Sequence, residues 1–166
     1  MPESPFDPQQ FRSRYIAAWN GCDTDLLAEL ITEDIVWRDP ALPEPAEGVA
    51  AVQDFMRRSF ATMPDLRFSD SDPPHLSVEG DQIAWGWTMH GTMSGPIDPP
   101  GFAASGARVQ IDGVDLWRMR DGRIARYRAF YDLAELLRQL GILPPPGSPA
   151  ERLSVALQRL KVRLRR

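Results

Sequence analysis

The sequence predicts one α+β domain, in which helices and a largely antiparallel sheet occupy separate parts of the chain. Apolar residues recur at helical spacing through the first 63 of the 166 residues, whereas later segments alternate with the two-residue period of strands. Asp121-Gly122, between two alternating runs, is a hairpin signal. Helices first and a meander of strands later are typical of an α+β fold.

The helices are predicted from caps and apolar spacing. Asp7 as N-cap and Pro8 as first helical residue begin the first helix, which carries an apolar stripe and stops at Asn20-Gly21. Further helices are predicted at 24–32, 49–63, 133–140 and 151–164.

The strands are predicted from alternation and from the prolines that interrupt it. Pro40 ends the first strand, and Pro73-Pro74 interrupts the second. The predicted strands are 34–39, 66–78, 82–92, 108–119 and 123–131.

Composition excludes several classes of protein. Hydrophobic residues make up 43% and charged residues 25% of the chain, which argues against disorder and collagen. No apolar run approaches the roughly 20 residues of a membrane-spanning helix. The acidic start, Met1 to Pro8, does not resemble a secretory signal, and the single cysteine, Cys22, excludes an intrachain disulfide. We therefore expect a cytoplasmic protein.

The net charge of −4 is unevenly distributed. Residues 151–166 carry six basic side chains and one acidic one, a net charge of +5, which leaves −9 on residues 1–150. Because the phosphate backbone attracts basic surfaces, the acidic body argues against nucleic-acid binding.

Asp115 is the first candidate for chemistry. In the strand 108–119 it is the only charge on a face that otherwise carries apolar residues and glycine. A carboxylate in an apolar layer must pair, accept hydrogen bonds or gain a proton through a raised pKa, and such groups serve as general acids. The alternatives are a bulge that turns Asp115 to solvent, or a structural pair with an arginine.

Asp39 and Tyr15 are further candidates. Asp39 shares a strand face with Ile35 and Trp37, although Asp-Pro also starts turns. Tyr15 lies on the apolar stripe of the first helix, where a pocket carboxylate could pair with its hydroxyl or packing alone could hold it. Large aromatic residues could line a cavity or simply fill the core: Trp19, Trp37, Phe55, Phe60, Trp87 and Trp117.

Asp132 has a structural interpretation, since it precedes the fourth helix with Glu135 at the third helical position. His75 and His90 are the only histidines and lack the spacing of metal ligands, so we expect no metal site.

From Phe11 to Pro144 the chain resembles the nuclear-transport-factor-2-like superfamily, and most closely its SnoaL-like polyketide cyclases. The similarity lies in four segments: Arg14-Tyr-Ile-Ala-Ala-Trp-Asn-Gly, Ile35-Val-Trp-Arg-Asp-Pro, Gly113-Val-Asp-Leu-Trp-Arg, and Tyr131-Asp-Leu-Ala-Glu-Leu-Leu.

The resemblance implies a cone-shaped curved sheet around a deep hydrophobic pocket, in a homodimer without metal or organic cofactor. It also implies intramolecular aldol-type cyclisation, with the family's acid/base aspartate at Asp132. In ketosteroid isomerases, similar functional positions fall on Tyr15, Asp39 and Asp115; that enzyme uses an aspartate base and an oxyanion hole of tyrosine and protonated aspartate. The Arg-x-Asp motif of epoxide hydrolases falls near Trp85 to Trp87, which disfavours that branch.

We therefore predict a cofactor-independent acid/base enzyme acting on a hydrophobic carbonyl compound, with Asp39, Asp115, Tyr15 and Asp132 as catalytic candidates. The alternatives are a ketosteroid-isomerase-like isomerase and a non-catalytic binder of a flat hydrophobic metabolite.

The predicted organisation is a pocket domain over 1–146 and a proline-linked basic helix over 147–166. The last helix has a leucine stripe that predicts docking on the domain or on a dimer mate, before an acidic partner or a membrane surface: Leu153, Leu157, Leu160 and Leu164. We expect no stable membrane insertion.

Overall fold

Helices and strands follow one another largely in the predicted order. The computed structural model describes residues 6–165. Most of the acidic segment 1–8, which we predict not to be a secretory signal, lies outside that range, as does Arg166. The helices are α1 (Pro8–Gly21), α2 (Thr24–Leu30), α3 (Val49–Thr62), α4 (Leu133–Gln139) and α5 (Pro149–Arg163). The strands are β1 (Ile31–Arg38), β2 (Ala46–Glu47), β3 (Arg67–Asp70), β4 (His75–Leu76), β5 (Gln82–Thr92), β6 (Arg108–Arg120) and β7 (Arg123–Tyr131).

The strands form one mixed, curved and unclosed sheet, in the α+β fold expected of the superfamily. Its order is β2-β1-β7-β6-β5-β3, and β4 also pairs with β5. The long strands β5, β6 and β7 are antiparallel neighbours, whereas β1 runs parallel to β7. The inward side chains of these strands and the first three helices bury a common hydrophobic core.

The caps that begin α1 and α5 are made by side chains. The Asp7 carboxylate accepts backbone N–H bonds from Gln9 and Gln10, and Pro8 follows at the first helical position. Ser148 caps α5, so this helix begins at Pro149, two residues before the predicted start.

The prediction for the second helix was wrong at its end. Helical spacing extended it to Thr32, but α2 ends at Leu30 and Ile31 begins β1. Ile31 is the register partner of Ile124 in β7 and is 1% exposed. Pairing with a distant strand therefore decides this boundary, which local spacing cannot detect. Around Pro73-Pro74, the predicted strand 66–78 is two short strands, β3 and β4.

Helix α5 packs differently from the other helices. Its side chains from Arg152 to Arg165 are exposed, including Leu153 at 61% and Leu157 at 58%. The leucine stripe is therefore not covered by any other part of the chain that the structure describes. No helix within residues 6–165 is both long and apolar enough to cross a membrane.

Candidate active site

An inner cavity of about 110 Å³ lies between the concave face of the sheet and helices α1, α3 and α4. Asp39, Asp115 and Tyr15 all line it, so the fold brings three of the four predicted catalytic residues together. Of the predicted binding aromatics, Trp19, Phe55 and Trp87 are on the wall. The remaining wall residues are Ala41, Ser59, Met63, Leu66, Phe68, Trp85, Met89, Ile111, Tyr127, Tyr131 and Leu136.

Asp115 lies on the inward face of β6, as its position in the alternation predicts. It is 2% exposed and has no arginine partner: its Oδ1 accepts a hydrogen bond from Trp87 Nε1 at 2.8 Å and another from Tyr127 Oη at 2.7 Å. Among the described residues, no hydrogen bond reaches Asp115 Oδ2. These two donors therefore hold the carboxyl group through one oxygen.

Cross-strand geometry places both donors. Asp115 pairs directly with Trp85 of β5 and with Ala129 of β7, so Trp87 and Tyr127 are its diagonal neighbours on the same sheet face. Diagonal positions lie about 7–8 Å apart, a distance that aromatic side chains can span.

Gly113 makes room for one of these donors. A side-chain carbon at this position would collide with the indole ring of Trp87. Gly113 is the direct register partner of Trp87, so the indole lies across the glycine and reaches Asp115, two residues further along β6. The glycine thus positions a hydrogen-bond donor for the carboxyl group.

Burial raises the pKa of Asp115 to about 7, and the nearby charge of Asp39 adds to the rise. The hydrogen bonds from Tyr127 and Trp87 act in the opposite direction because they stabilise the charged form. Near neutral pH this carboxyl group can therefore both donate and accept a proton.

Asp39 follows the last residue of β1 and is half-buried. Its Oδ1 accepts hydrogen bonds from the backbone N–H of Ala41 at 2.8 Å and from Tyr131 Oη at 2.7 Å. The first bond belongs to the Asp-Pro turn, and the second ties the carboxylate to the cavity wall, so the turn and the pocket hypotheses both describe this residue. Burial raises its pKa, and these two hydrogen bonds lower it.

Of the two alternatives for Tyr15, pairing of its hydroxyl with a carboxylate is not observed among the described hydrogen bonds. The described hydrogen bonds to Asp115 and Asp39 come from other groups, and the hydroxyl of Tyr15 lies near Tyr127 and Trp19. Burial, reinforced by the charge of Asp115, raises the pKa of Tyr15 well above its usual value. The phenol is therefore neutral and can donate a hydrogen bond into the cavity.

Asp132 lies away from the cavity wall. Its side chain is exposed and accepts a hydrogen bond of 2.9 Å from the backbone N–H of Glu135, which caps α4. The structure therefore agrees with the capping interpretation, and it does not bring Asp132 together with the other candidates.

Three predicted binding aromatics also lie off the wall. Trp37 is fully buried and stacks on Tyr127 with ring centroids 3.5 Å apart. Trp117 is fully buried against Phe11 and Tyr15, and Phe60 is half-buried outside the lining. The two tryptophans fill the core behind the cavity because helix α1 and strand β7 cover them.

Sequence reasoning missed Tyr127 and Tyr131, the hydroxyl donors to the two carboxylates. Both share a face of β7 with Ala129, which is buried, so the same alternation argument could have placed them inward. The register that sets them beside Asp115 and Asp39 could not have been read from β7 alone.

The site combines two carboxyl groups and neutral phenols in an apolar enclosure. Such an arrangement can remove a proton from carbon and stabilise negative charge on an oxygen. Within residues 6–165, no group of three or more His, Cys, Asp and Glu side chains is arranged to hold a metal ion.

Comparisons with known proteins agree on family and fold. The family pattern of the SnoaL-like polyketide cyclases matches residues 9–140, and no curated protein matches the chain. The chain is similar to TsrD from Streptomyces laurentii, at 32% identity and a TM-score of 0.68, covering 81% of this chain and 95% of that one. It is also similar to IdmH from Streptomyces antibioticus, a candidate polyketide cyclase, at 26% identity and a TM-score of 0.65, covering 81% and 99%.

A more distant structure shows the fold alone. A hypothetical protein from Catenulispora acidiphila with a ketosteroid isomerase-like fold, solved in complex with trimethylamine, is 20% identical with a TM-score of 0.67, covering 84% of this chain and 98% of that one.

Proposed function

Because the chain belongs to the SnoaL-like polyketide cyclase family, we propose that the inner cavity is the active site of an acid/base enzyme for a hydrophobic carbonyl compound. The proposed reaction is an intramolecular aldol-type cyclisation that uses the protein's own side chains and no cofactor. The observation that carries the proposal is the pair of carboxyl groups, Asp39 and Asp115, on the wall of one apolar cavity. Each is held through Oδ1 by a tyrosine and an N–H group.

Asp39 is the proposed base. Its ionised form is supported by two hydrogen bonds and by partial exposure, whereas Asp115 is almost fully buried. Asp39 takes a proton from the carbon beside a substrate carbonyl, and the electron pair of that C–H bond moves toward the carbonyl oxygen. Asp115, protonated on its free oxygen, donates a hydrogen bond to that oxygen and stabilises the enolate.

Ring closure then needs no further reactant. The enolate carbon attacks a second carbonyl carbon of the same molecule, which forms the new C–C bond and leaves an alkoxide. The protonated Asp39 returns its proton to that alkoxide, so the base is regenerated and no atom is lost. Tyr15, a neutral phenol on the cavity wall, is a proposed hydrogen-bond donor to the attacked carbonyl oxygen.

An isomerase is the second candidate function, favoured by the meeting of Tyr15, Asp39 and Asp115 on one wall. A ketosteroid-isomerase-like reaction begins with the same proton abstraction but returns the proton to another carbon. The product would keep its carbon skeleton, so NMR of the product distinguishes the two reactions.

A non-catalytic binder of a flat hydrophobic metabolite would gain nothing from a buried ionisable group. Burying a carboxyl group without a cationic partner costs free energy, and such perturbed groups cluster at functional sites. The position of Asp115 therefore supports catalysis over simple binding.

Exchange of carbon-bound hydrogen tests the proposed first step without the natural substrate. Acetophenone is incubated in heavy water with the protein, and loss of its methyl proton signal is followed by NMR. Asp39→Asn and Asp115→Asn should each slow the protein-dependent exchange by about 10²–10⁴-fold, the usual contribution of a general acid or base. Asp132→Asn is the matched control, because asparagine also caps helices.

Two outcomes would contradict the proposal. Full exchange activity in both cavity variants would remove the carboxyl groups from the mechanism. Wild-type protein that exchanges aryl ketones no faster than buffer, while binding them, would favour the non-catalytic binder.

We also propose that residues 1–146 form the pocket domain and that residues 147–166 form a separate basic helix. Uncovered leucines on α5 and the opposite net charges of the two parts support docking of this helix on a second copy, in a homodimer. Leu157→Ser with Leu160→Ser should produce monomers in light scattering, whereas Val155→Ser, on another face of α5, should not. A dimer that persists in the double variant, or one that also dissociates in Val155→Ser, would contradict docking through the stripe.

A further inference from the structure

An outer groove with a volume of about 570 Å³ adjoins the inner cavity. It is formed by the end of β1, the segment 40–45 and the end of β7. Asp39 and Tyr131 line both the outer groove and the inner cavity. Their 2.7 Å hydrogen bond therefore lies where the two spaces meet.

Two arginines lie side by side on the outer groove. Arg38 of β1 is the register partner of Arg128 in the adjacent strand β7, and both side chains are exposed. Like charges directly opposite each other on neighbouring strands repel and destabilise the pair. Within the described chain, the salt bridges involve other arginines.

The Arg128 guanidinium is held in place by an aromatic ring. It lies over Phe130, which also lines the outer groove, with 4.6 Å between Cζ and the ring centroid. Neither Arg38 nor Arg128 forms a salt bridge among the described residues, so both guanidinium groups remain available to an anionic ligand.

We infer that the outer groove binds the anionic end of an extended substrate, a carboxylate or a phosphate. The reacting carbonyl group of the same molecule lies in the inner cavity, an identification that rests on the proposed function. Arg38 and Arg128 together neutralise the anion, and the Asp39–Tyr131 pair lies between the two ends of the ligand.

The outer groove also contains acidic groups, which weaken its binding of an anion. Glu44 lies on the same wall as the arginines, and Asp39 is directed toward Tyr131 and Ala41. Because Glu44 opposes a bound anion, Glu44→Gln should tighten anion binding by a few-fold, roughly the effect of one exposed charge.

Binding of three probes tests the inference. Oxodecanoate, its methyl ester and oxodecyl phosphate share a chain and a ketone but differ in their end group. Their dissociation constants are measured by quenching of tryptophan fluorescence, since Trp19, Trp85 and Trp87 line the inner cavity. The anionic probes should bind about tenfold more tightly than the ester, as expected for charge-assisted hydrogen bonds to arginine. Preference between the carboxylate and the phosphate identifies the source of the anion.

Arg38→Gln and Arg128→Gln should remove this preference without weakening the ester. Arg126→Gln is the control, because Arg126 is exposed on the same face of β7 but does not line the outer groove. Equal binding of acid, phosphate and ester by wild-type protein would overturn the inference. A preference that survives in the Arg38→Gln/Arg128→Gln double variant, or that Arg126→Gln removes equally, would also overturn it.

The two experiments distinguish an error in the inference about the outer groove from an error in the proposed function. Anion preference is a binding measurement and does not require turnover. Carbon-hydrogen exchange on acetophenone by wild-type protein needs no anionic end, so it tests the proposed function without the outer groove.

Discussion

Asp115 lies in the middle of the sheet and Asp39 lies at the end of a strand, yet their carboxyl groups are held in the same way. In each, Oδ1 accepts bonds from a tyrosine hydroxyl and an N–H group. They differ in burial, since Asp115 is 2% exposed and Asp39 is half-buried. The two carboxyl groups accept similar hydrogen bonds, but Asp115 is more deeply buried than Asp39. Their pKa values therefore differ, and one cavity can contain both an acid and a base.

The largest effect is expected in the pH dependence of stability. The pKa of Asp115 is about 7 in the folded protein and about 3.9 in an unfolded chain, so the folded state holds this proton more tightly. Its contribution to stability is complete below pH 4 and is lost as the pH rises through 7, by roughly 4 kcal/mol in total.

The Asp115→Asn variant isolates this contribution because asparagine does not titrate. Relative to the variant, wild-type protein should lose stability between pH 4 and pH 8, measured by urea unfolding. Asp39→Asn should give a smaller difference of the same sign. Parallel curves of stability against pH for wild type and Asp115→Asn would show that protonation of Asp115 does not stabilise the folded protein.

A smaller effect is expected from Gly113→Ala. The added methyl group displaces Trp87, which costs roughly 1–3 kcal/mol of unfolding free energy as overpacking. Loss of the Trp87 hydrogen bond should also raise the pKa of Asp115, because this bond stabilises the charged form.

Trp87→Phe separates the two consequences of that change, since it removes the N–H donor without adding a group at Gly113. Carbon NMR of labelled aspartate follows the carboxyl titration in both variants. An unchanged titration in Gly113→Ala would mean that the indole reaches Asp115 without the space that the glycine provides.

The smallest effects are expected from the two tyrosines. Tyr127→Phe should mainly raise the pKa of Asp115, and Tyr131→Phe mainly that of Asp39, because each removes one donor to the charged form. Each should lower the unfolding free energy at pH 8 by about 1 kcal/mol. Phenylalanine at position 127 keeps the stacking on Trp37. The same carbon NMR titration reports both pKa values, and a variant that shifts the other carboxyl group more than its own partner would contradict the separate pairing.

Most of the elements could be predicted from the sequence because their signals are local. Alternation along β6 predicts that Asp115 faces the apolar layer, and β5 and β7 begin and end where alternation places them. The end of α2 was wrong because Ile31 pairs with a residue 93 positions away. The capping of α4 by Asp132 is local and was foreseen, whereas the family resemblance alone suggested chemistry there.

The sequence by itself determined which side of each strand its residues face, because this depends only on the two-residue period of the backbone. It therefore determined that Asp115 points inward and that Asp39 stands at the end of an apolar strand face. Only the tertiary structure decided which donors those carboxyl groups meet and which tryptophans reach the cavity. Strand register and helix packing join distant parts of the chain, so Tyr127 and Tyr131 became partners of Asp115 and Asp39, while Trp37 and Trp117 were covered in the core.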